Sequence, residues 1–304
     1  MDEGIKYNTK RCLFCGEGED AAELYPRTFE PEDLTPEIFS ARRVTEHFHY
    51  KIVRCRHCGL VFSREILPDD VLARLYSSSR VTFDEYTGII REDYWRHLSP
   101  FLNEINKGSA LEIGCSSGFF LEKLLEEGFK NAYGCEPSIE AIGKAPPMIK
   151  KNIYPGFFKN GIYQKNSFDL VCSFQTLDHL SNPDEIIEIC HNILRPNGIA
   201  YFIVHDVDSL QARILRDRSP IIDIEHIYLF NKKTLKKLFD RGKYKAIKVS
   251  DMKNSYPLSY WIKMLSLGGF GDTLKNVVER TRIGSISLPI AAGNIFIIAK
   301  PMKE

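Results

Sequence analysis

Residues 111–120, LEIGCSSGFF, restrict the fold more than any other stretch of the chain. A short apolar run ends in Gly114. A tight turn of small residues follows, holding Ser116 and Gly118, and an amphipathic segment, FFLEKLLEEG, then runs to Gly128. This order predicts a buried strand over 110–114 and a helix over 119–128. Small residues in such a turn let the backbone approach a ligand closely, and the first turn of the helix offers N–H groups with no intrahelical partner. The next predicted strand, NAYGCE at 131–136, ends in Glu136. In a βαβ unit of this kind, a carboxylate at that tip accepts hydrogen bonds from the two hydroxyls of a ribose. Loop and acid together predict a nucleoside-binding site.

The remaining pattern extends the unit. Strands are predicted over 149–154, 167–174, 198–206, 244–251 and 293–301, with helices over 138–145, 182–195 and 231–242 between them. This alternation implies a parallel sheet with right-handed crossovers. The expected fold is α/β: a Rossmann-like, seven-stranded, mostly parallel sheet behind a small N-terminal zinc-binding module. Two rival readings of the turn fail. A dinucleotide fingerprint reads GxGxxG, and this turn reads GCSSG. The same residues match the GxSxG nucleophile elbow, but that fold needs several strands before the elbow.

The zinc module is predicted from cysteine spacing. Of eight cysteines, Cys12/Cys15 and Cys55/Cys58 form two CxxCG knuckles, while Cys115, Cys135, Cys172 and Cys190 are scattered through apolar segments. In a chain expected to be cytoplasmic, paired CxxC reads as metal rather than disulfide. Four thiolates leave no open position, so the Zn²⁺ is expected to be structural. The segment around them has too few apolar residues to build a core alone. Zinc would supply roughly 10–16 kcal/mol, as in zinc-finger peptides. The expected organisation is a zinc module over 1–66, a helical linker and lid over 67–108, and a Rossmann-like domain over 109–304 with a helical insert at 252–288. A long helix is expected near 84–106, a strand over 47–53, and the apolar run 258–270 as a cover for the substrate.

Read in order, LEIGCSSGFF, YGCEPS, SFDLVCSFQTLDHLSNP, ILRPNGIAYFIV and EHIYLF resemble class I S-adenosylmethionine-dependent methyltransferases. With CxxCG…CxxCGLVF in front, the chain is similar to members that act in sugar and cell-envelope polysaccharide pathways. The resemblance covers about residues 10–300. It implies that Glu112, Gly114, Ser116 and Gly118 cradle the methionine part of the donor. Ser116 stands where many members have Gly. It further implies that Glu136 holds the ribose, Phe157 flanks the adenine, and Gln175 faces the methionine end. Related sugar C-methyltransferases use a His preceded by Glu, which falls on Glu225-His226. That assigns His226 as general base with Glu225 orienting it, a role an imidazole can fill near neutral pH. His179, in LDHL, is expected close to the methyl group, and Tyr76 and Tyr86 at the rim. Those C-methyltransferases carry a further C-terminal domain that this sequence lacks, which leaves O- and C-methylation both open.

Composition limits the partners. Lys+Arg number 41 against 40 Asp+Glu, a net charge of +1. With no global basic excess, no nucleic-acid partner is expected. The basic stretch 232–253 reads as a solvated face. No apolar run approaches the roughly 20 residues that span a bilayer. The N-terminus, MDEGIKYNTK, shows no secretory signal, hence the cytoplasmic expectation. The expected substrate is a small molecule, a sugar or sugar nucleotide methylated from S-adenosylmethionine. The alternatives are a small natural product or lipid-linked glycan as acceptor, and a non-catalytic protein that only binds the donor.

Overall fold

A computed structural model describes residues 6–16, 20–30, 33–34, 48–78, 86–103, 105–264 and 286–303. Its centre is a seven-stranded sheet. In chain order the strands are β1 (Ser109–Ile113), β2 (Asn131–Glu136), β3 (Ile153–Pro155), β4 (Phe168–Phe174), β5 (Leu194–His205), β6 (Tyr244–Pro257) and β7 (Ser287–Pro301). They lie in the order β6-β7-β5-β4-β1-β2-β3. β3, β2, β1, β4 and β5 pair in parallel, while β7 runs antiparallel to both neighbours. The Rossmann-like, mostly parallel sheet expected from the sequence is present.

The central strands are apolar on both faces, as a sheet covered on both sides requires. Leu111 and Val171 point into one core layer, with helices Pro183–Ile193 and Lys232–Arg241. Ala110, Leu170 and Cys172 point into the other, with helices Thr87–Leu98 and Phe119–Glu126. Period-two alternation thus places successive residues of one strand in different layers.

Strand ends depart from expectation where the sheet edge twists away from the core. β6 continues to Pro257, six residues into the expected insert, and β7 starts at Ser287, two residues inside it and six before the expected strand. They form a ribbon with Asn254 opposite Ile290 and Pro257 opposite Ser287. One helix, Leu258–Met264, follows the ribbon, and the rest of the expected insert and of the run 258–270 lies outside the described residues. The helix expected near 84–106 is described over Thr87–Leu98, with a 3₁₀ turn to Phe101. The strand expected over 47–53 is Ile52–Cys55. The first two positions of 149–154 belong to the short helix Pro147–Lys150 and the next two to a turn, so β3 begins only at Ile153 and has three residues.

A second, four-stranded sheet lies at the N-terminal side. Its order is Tyr228–Leu229, Val61–Ser63, Ile52–Cys55 and Ala21–Tyr25. One of its strands is therefore supplied by the segment after the Glu225-His226 pair. Tyr228 lies opposite Phe62, and the Ser63 amide donates to the Ile227 carbonyl at 2.8 Å. The Ser63 hydroxyl donates to the His226 carbonyl at 2.9 Å. These bonds fix residues 225–229 between the two sheets. Among the described residues no helix is long and apolar enough to cross a membrane.

Candidate active site

The turn after β1 builds one side of the site. Gly114 has φ +74°, and a Cβ there would run into the Thr176 side chain. Gly118 has φ +75° and precedes helix Phe119–Glu126, with Ile149 closed against it. Ser116 holds a left-handed φ of 49° although it carries a side chain. That conformation aims its amide at Glu136, whose Oε2 accepts at 2.9 Å, while Oε1 accepts from the Ser138 amide at 2.8 Å. Both oxygens keep a lone pair for a further donor.

A cavity of about 490 Å³ opens over this turn. It brings together Glu112, Gly114, Ser116, Glu136, Phe157 and Gln175 of the expected donor-binding residues, and His179 and Glu225 of the expected catalytic ones. Gly118 and His226 are not on its wall. Gly118 acts one layer back, letting the helix start close to the turn. Tyr76 lines the cavity, whereas Tyr86 packs edge-on against Tyr256 and at a tilt against Tyr260, with ring centroids 5.7 and 5.4 Å apart. Aromatic and apolar residues not foreseen from the sequence, Ile90, Tyr94, Phe158 and Phe174, complete the wall.

The electrostatics are acidic. Glu112 is buried, its Oε2 has no hydrogen-bond partner, and burial followed by the nearby Glu136 carboxylate pushes its pKa well above the usual range. Burial raises Glu136 as well, against the pull of the Ser138 and Ser116 amides. Asp69 and Glu225 bring the lining carboxylates to four, and among the described lining residues there is no lysine or arginine.

Behind the cavity wall lies a cluster of polar groups the sequence reading did not assemble. Asp178 Oδ2 accepts from His205 Nδ1 at 2.8 Å. His205 Nδ1 also stands 3.1 Å from His226 Nε2. The His226 ring packs edge-on against both His179 and His205, each at 4.7 Å. His179 Nδ1 is 3.5 Å from the Tyr76 hydroxyl, which donates to the Glu225 carbonyl at 3.4 Å. Burial lowers the pKa of both His226 and His179, so both imidazoles are neutral at pH 7. Burial opposes ionisation of Asp178, but the hydrogen bond from His205 and the electrostatic pull of His205, His179 and His226 together overcome it and lower its pKa. The only sequence trace of this cluster was a charged residue, Asp178, just past a buried strand, and a histidine closing the apolar run of β5.

The four knuckle cysteines converge as expected. Cys12 and Cys58 sulfurs are 3.4 Å apart, Cys55 and Cys15 sulfurs 3.9 Å. These distances are far from a disulfide and bracket the edge of about 3.8 Å that a ZnS₄ tetrahedron with Zn–S near 2.3 Å requires. The Gly16 and Gly59 amides close the two turns on the Cys12 and Cys55 carbonyls, each at 2.9 Å. Burial raises the Cys12 thiol to about 11. At Cys55 the Cys58 and His57 amides overcome burial and lower it to about 7. The four residues fit a metal and could hold one.

A second cavity, about 380 Å³, lies between the N-terminal sheet and residues 207–216 after β5. Arg54, Arg213 and Arg216 line it with Tyr25 and Asp208.

Comparison with known proteins places these features. The family described as Methyltransferase domain matches residues 87–248. A tRNA U34 carboxymethyltransferase of Idiomarina loihiensis is 30% identical over 118 residues, 36% of this chain and 36% of that protein. A tRNA U34 carboxymethyltransferase of Campylobacter jejuni is 24% identical over 189 residues, 58% of this chain and 64% of that one. The chain thus spans about one third and under two thirds of the lengths of these relatives. Among solved structures, a chain from the Haloferax volcanii complex of a methyltransferase activator with a candidate methyltransferase superposes with a TM-score of 0.50. That match has 16% identity and covers 73% of this chain and 98% of that one. The relatives are named for tRNA, which overturns the expectation of a sugar-nucleotide substrate with no nucleic-acid partner. Net charge does not report local clustering: the +1 chain sets Arg54, Arg213 and Arg216 around the second cavity. With more than half its length inside the matched family and the expected sheet around the cavity, the chain belongs to the class I S-adenosylmethionine-dependent methyltransferases.

Proposed function

We propose that the acidic cavity binds S-adenosylmethionine and directs its methyl group to an acceptor held against Tyr76, His179 and Glu225. In this reading Glu136 takes the ribose hydroxyls, Glu112 faces the ammonium of the methionine part, and Phe157 flanks the adenine. Ser116 and Gly114 let the backbone come close, and Gln175 stands at the methionine end. Glu225, on the cavity wall, takes the acceptor's proton. This replaces His226, which sits one layer behind.

The observation that carries the reading is the charge of the lining. The donor brings a sulfonium and an ammonium, and four carboxyl-bearing residues face the cavity. A carboxylated donor would set an added anion among these acids with no basic residue of the described lining to balance it. The transferred group is therefore methyl, not the carboxymethyl for which the relatives are named. Alignment of donor and acceptor would supply roughly 7–11 kcal/mol of the barrier reduction. Release of S-adenosylhomocysteine from S-adenosylmethionine, set against turnover of the carboxylated donor, tests this. Preference for the carboxylated donor would sink it.

A second reading concerns the acceptor, which we take to be RNA. The names of the relatives and the arginine-lined cavity support it. Guanidinium groups bind phosphate in bidentate fashion, and phosphate contacts position RNA without reading its sequence. Transfer of labelled methyl to a tRNA pool from a strain lacking the protein is the expected result, weakened at least tenfold in Arg213→Glu/Arg216→Glu. An unlabelled pool would reject RNA as the acceptor.

A further inference from the structure

We propose that Asp178, His179 and His226 form a binding site for a divalent transition-metal ion behind the methyl-transfer cavity, separate from the four-cysteine site. One ligand atom from each of the three lies within 4.8 Å of those of the other two. This convergence and the unpaired polar atoms of the three side chains point to an ion whatever the acceptor is.

The Tyr76 hydroxyl donates to the Glu225 carbonyl at 3.4 Å and lies 3.5 Å from His179 Nδ1, on the other side of that ring from Nε2. His179 Nε2 is buried and has no partner. At the far side, the proton of His205 Nδ1 goes to the Asp178 carboxylate. One N–H cannot also serve His226 Nε2 well at 3.1 Å. The other ring nitrogen of His226, Nδ1, is buried without a partner, and so is Asp178 Oδ1. Each of the three residues therefore carries a buried polar atom without a hydrogen-bond partner, which is destabilising if nothing fills the space.

Two imidazoles and a carboxylate are what an ion such as Zn²⁺, Co²⁺ or Fe²⁺ accepts, in contrast to the all-oxygen sets of Ca²⁺ and Mg²⁺. His205 completes the arrangement as the group that orients the ligating carboxylate, a contact typical of metal sites. Such an ion would lock the His179 ring with its Nδ1 toward Tyr76, on the cavity wall. An internal water could meet some of the same orphans, and the two occupants differ in a measurable way.

The test is a Co²⁺ titration of the metal-stripped full chain, read by absorption. The expected result is two sites, one with intense thiolate charge-transfer bands and one with only weak visible bands of a nitrogen and oxygen set. Cys12→Ser/Cys15→Ser removes the first and keeps the second. Asp178→Asn removes the second and keeps the first. His205→Ala, which leaves all three ligands in place, weakens the second by about 10–100-fold. Saturation of the wild-type chain at a single thiolate-bound ion overturns the proposal and assigns the space to water. That reading needs no variant to fold.

Discussion

Ser116 and Glu136 are joined by a hydrogen bond of 2.9 Å from the Ser116 amide to Oε2. The bond spans the turn after β1 and the tip of β2, so the donor cradle is made by two strands at once. Removing the carboxylate should cost both the ribose contact and the shape of the turn. Glu136→Ala is expected to weaken S-adenosylhomocysteine binding by about 1.5–3 kcal/mol, roughly 10–150-fold, as for hydrogen bonds to a charged group. Calorimetry on wild type and variant measures this. Unchanged affinity in a folded variant would remove Glu136 from the site.

Glu112 gives a pH dependence with a definite sign. Its pKa is raised by burial, so the ligand-free protein holds a proton there above the ordinary carboxylate range. A ligand that brings an ammonium selects the ionised form, and binding then expels the proton. Donor affinity should rise with pH from the usual carboxylate range up to the elevated pKa and level off beyond it. Glu112→Gln should flatten that rise. An equal slope in both proteins would detach Glu112 from the ammonium.

The four-cysteine site should carry the stability of the N-terminal sheet. Its strand Ile52–Cys55 ends in one of the cysteines, and Leu60, Val61 and Phe62 follow the second knuckle directly. Cys58→Ser, or a strong chelator, should lower the melting temperature and expose residues 48–63 to proteolysis. Because Tyr228–Leu229 belongs to the same sheet, the segment carrying Glu225 should loosen as well. Loss of zinc with an unchanged melting temperature would contradict this.

Local signals carried the sheet and the donor cradle. A strand–turn–helix with small residues at 114, 116 and 118 specifies its own backbone, and Glu136 is placed by the length of one β-strand. The cysteine site was equally readable, since CxxCG fixes two ligands per turn. Long-range placement was not. Nothing near Glu225-His226 announces that residues 228–229 will pair with 61–62, yet that pairing decides which of the two neighbours faces the cavity. The Asp178 cluster was hidden for the same reason, because His205 and His226 reach Asp178 from separate segments. The ends of β6 and β7 were misjudged because an edge ribbon is held by its own ladder and needs no apolar run.

The division of labour between Glu225 and His226 is the sharpest point to settle. Glu225 lines the cavity, whereas His226 is 6% exposed and faces His205 and His179. A base must come within hydrogen-bond reach of the proton it takes. Glu225→Gln keeps the size and the backbone of the segment and removes only the basicity. It should lower kcat by about 10²–10⁴-fold, the usual worth of a general base. The affinity for S-adenosylhomocysteine should hold, since Glu136 and Glu112 are untouched. Near wild-type turnover would return the role of base to an imidazole, and His179, which shares the wall, would be the group to test next.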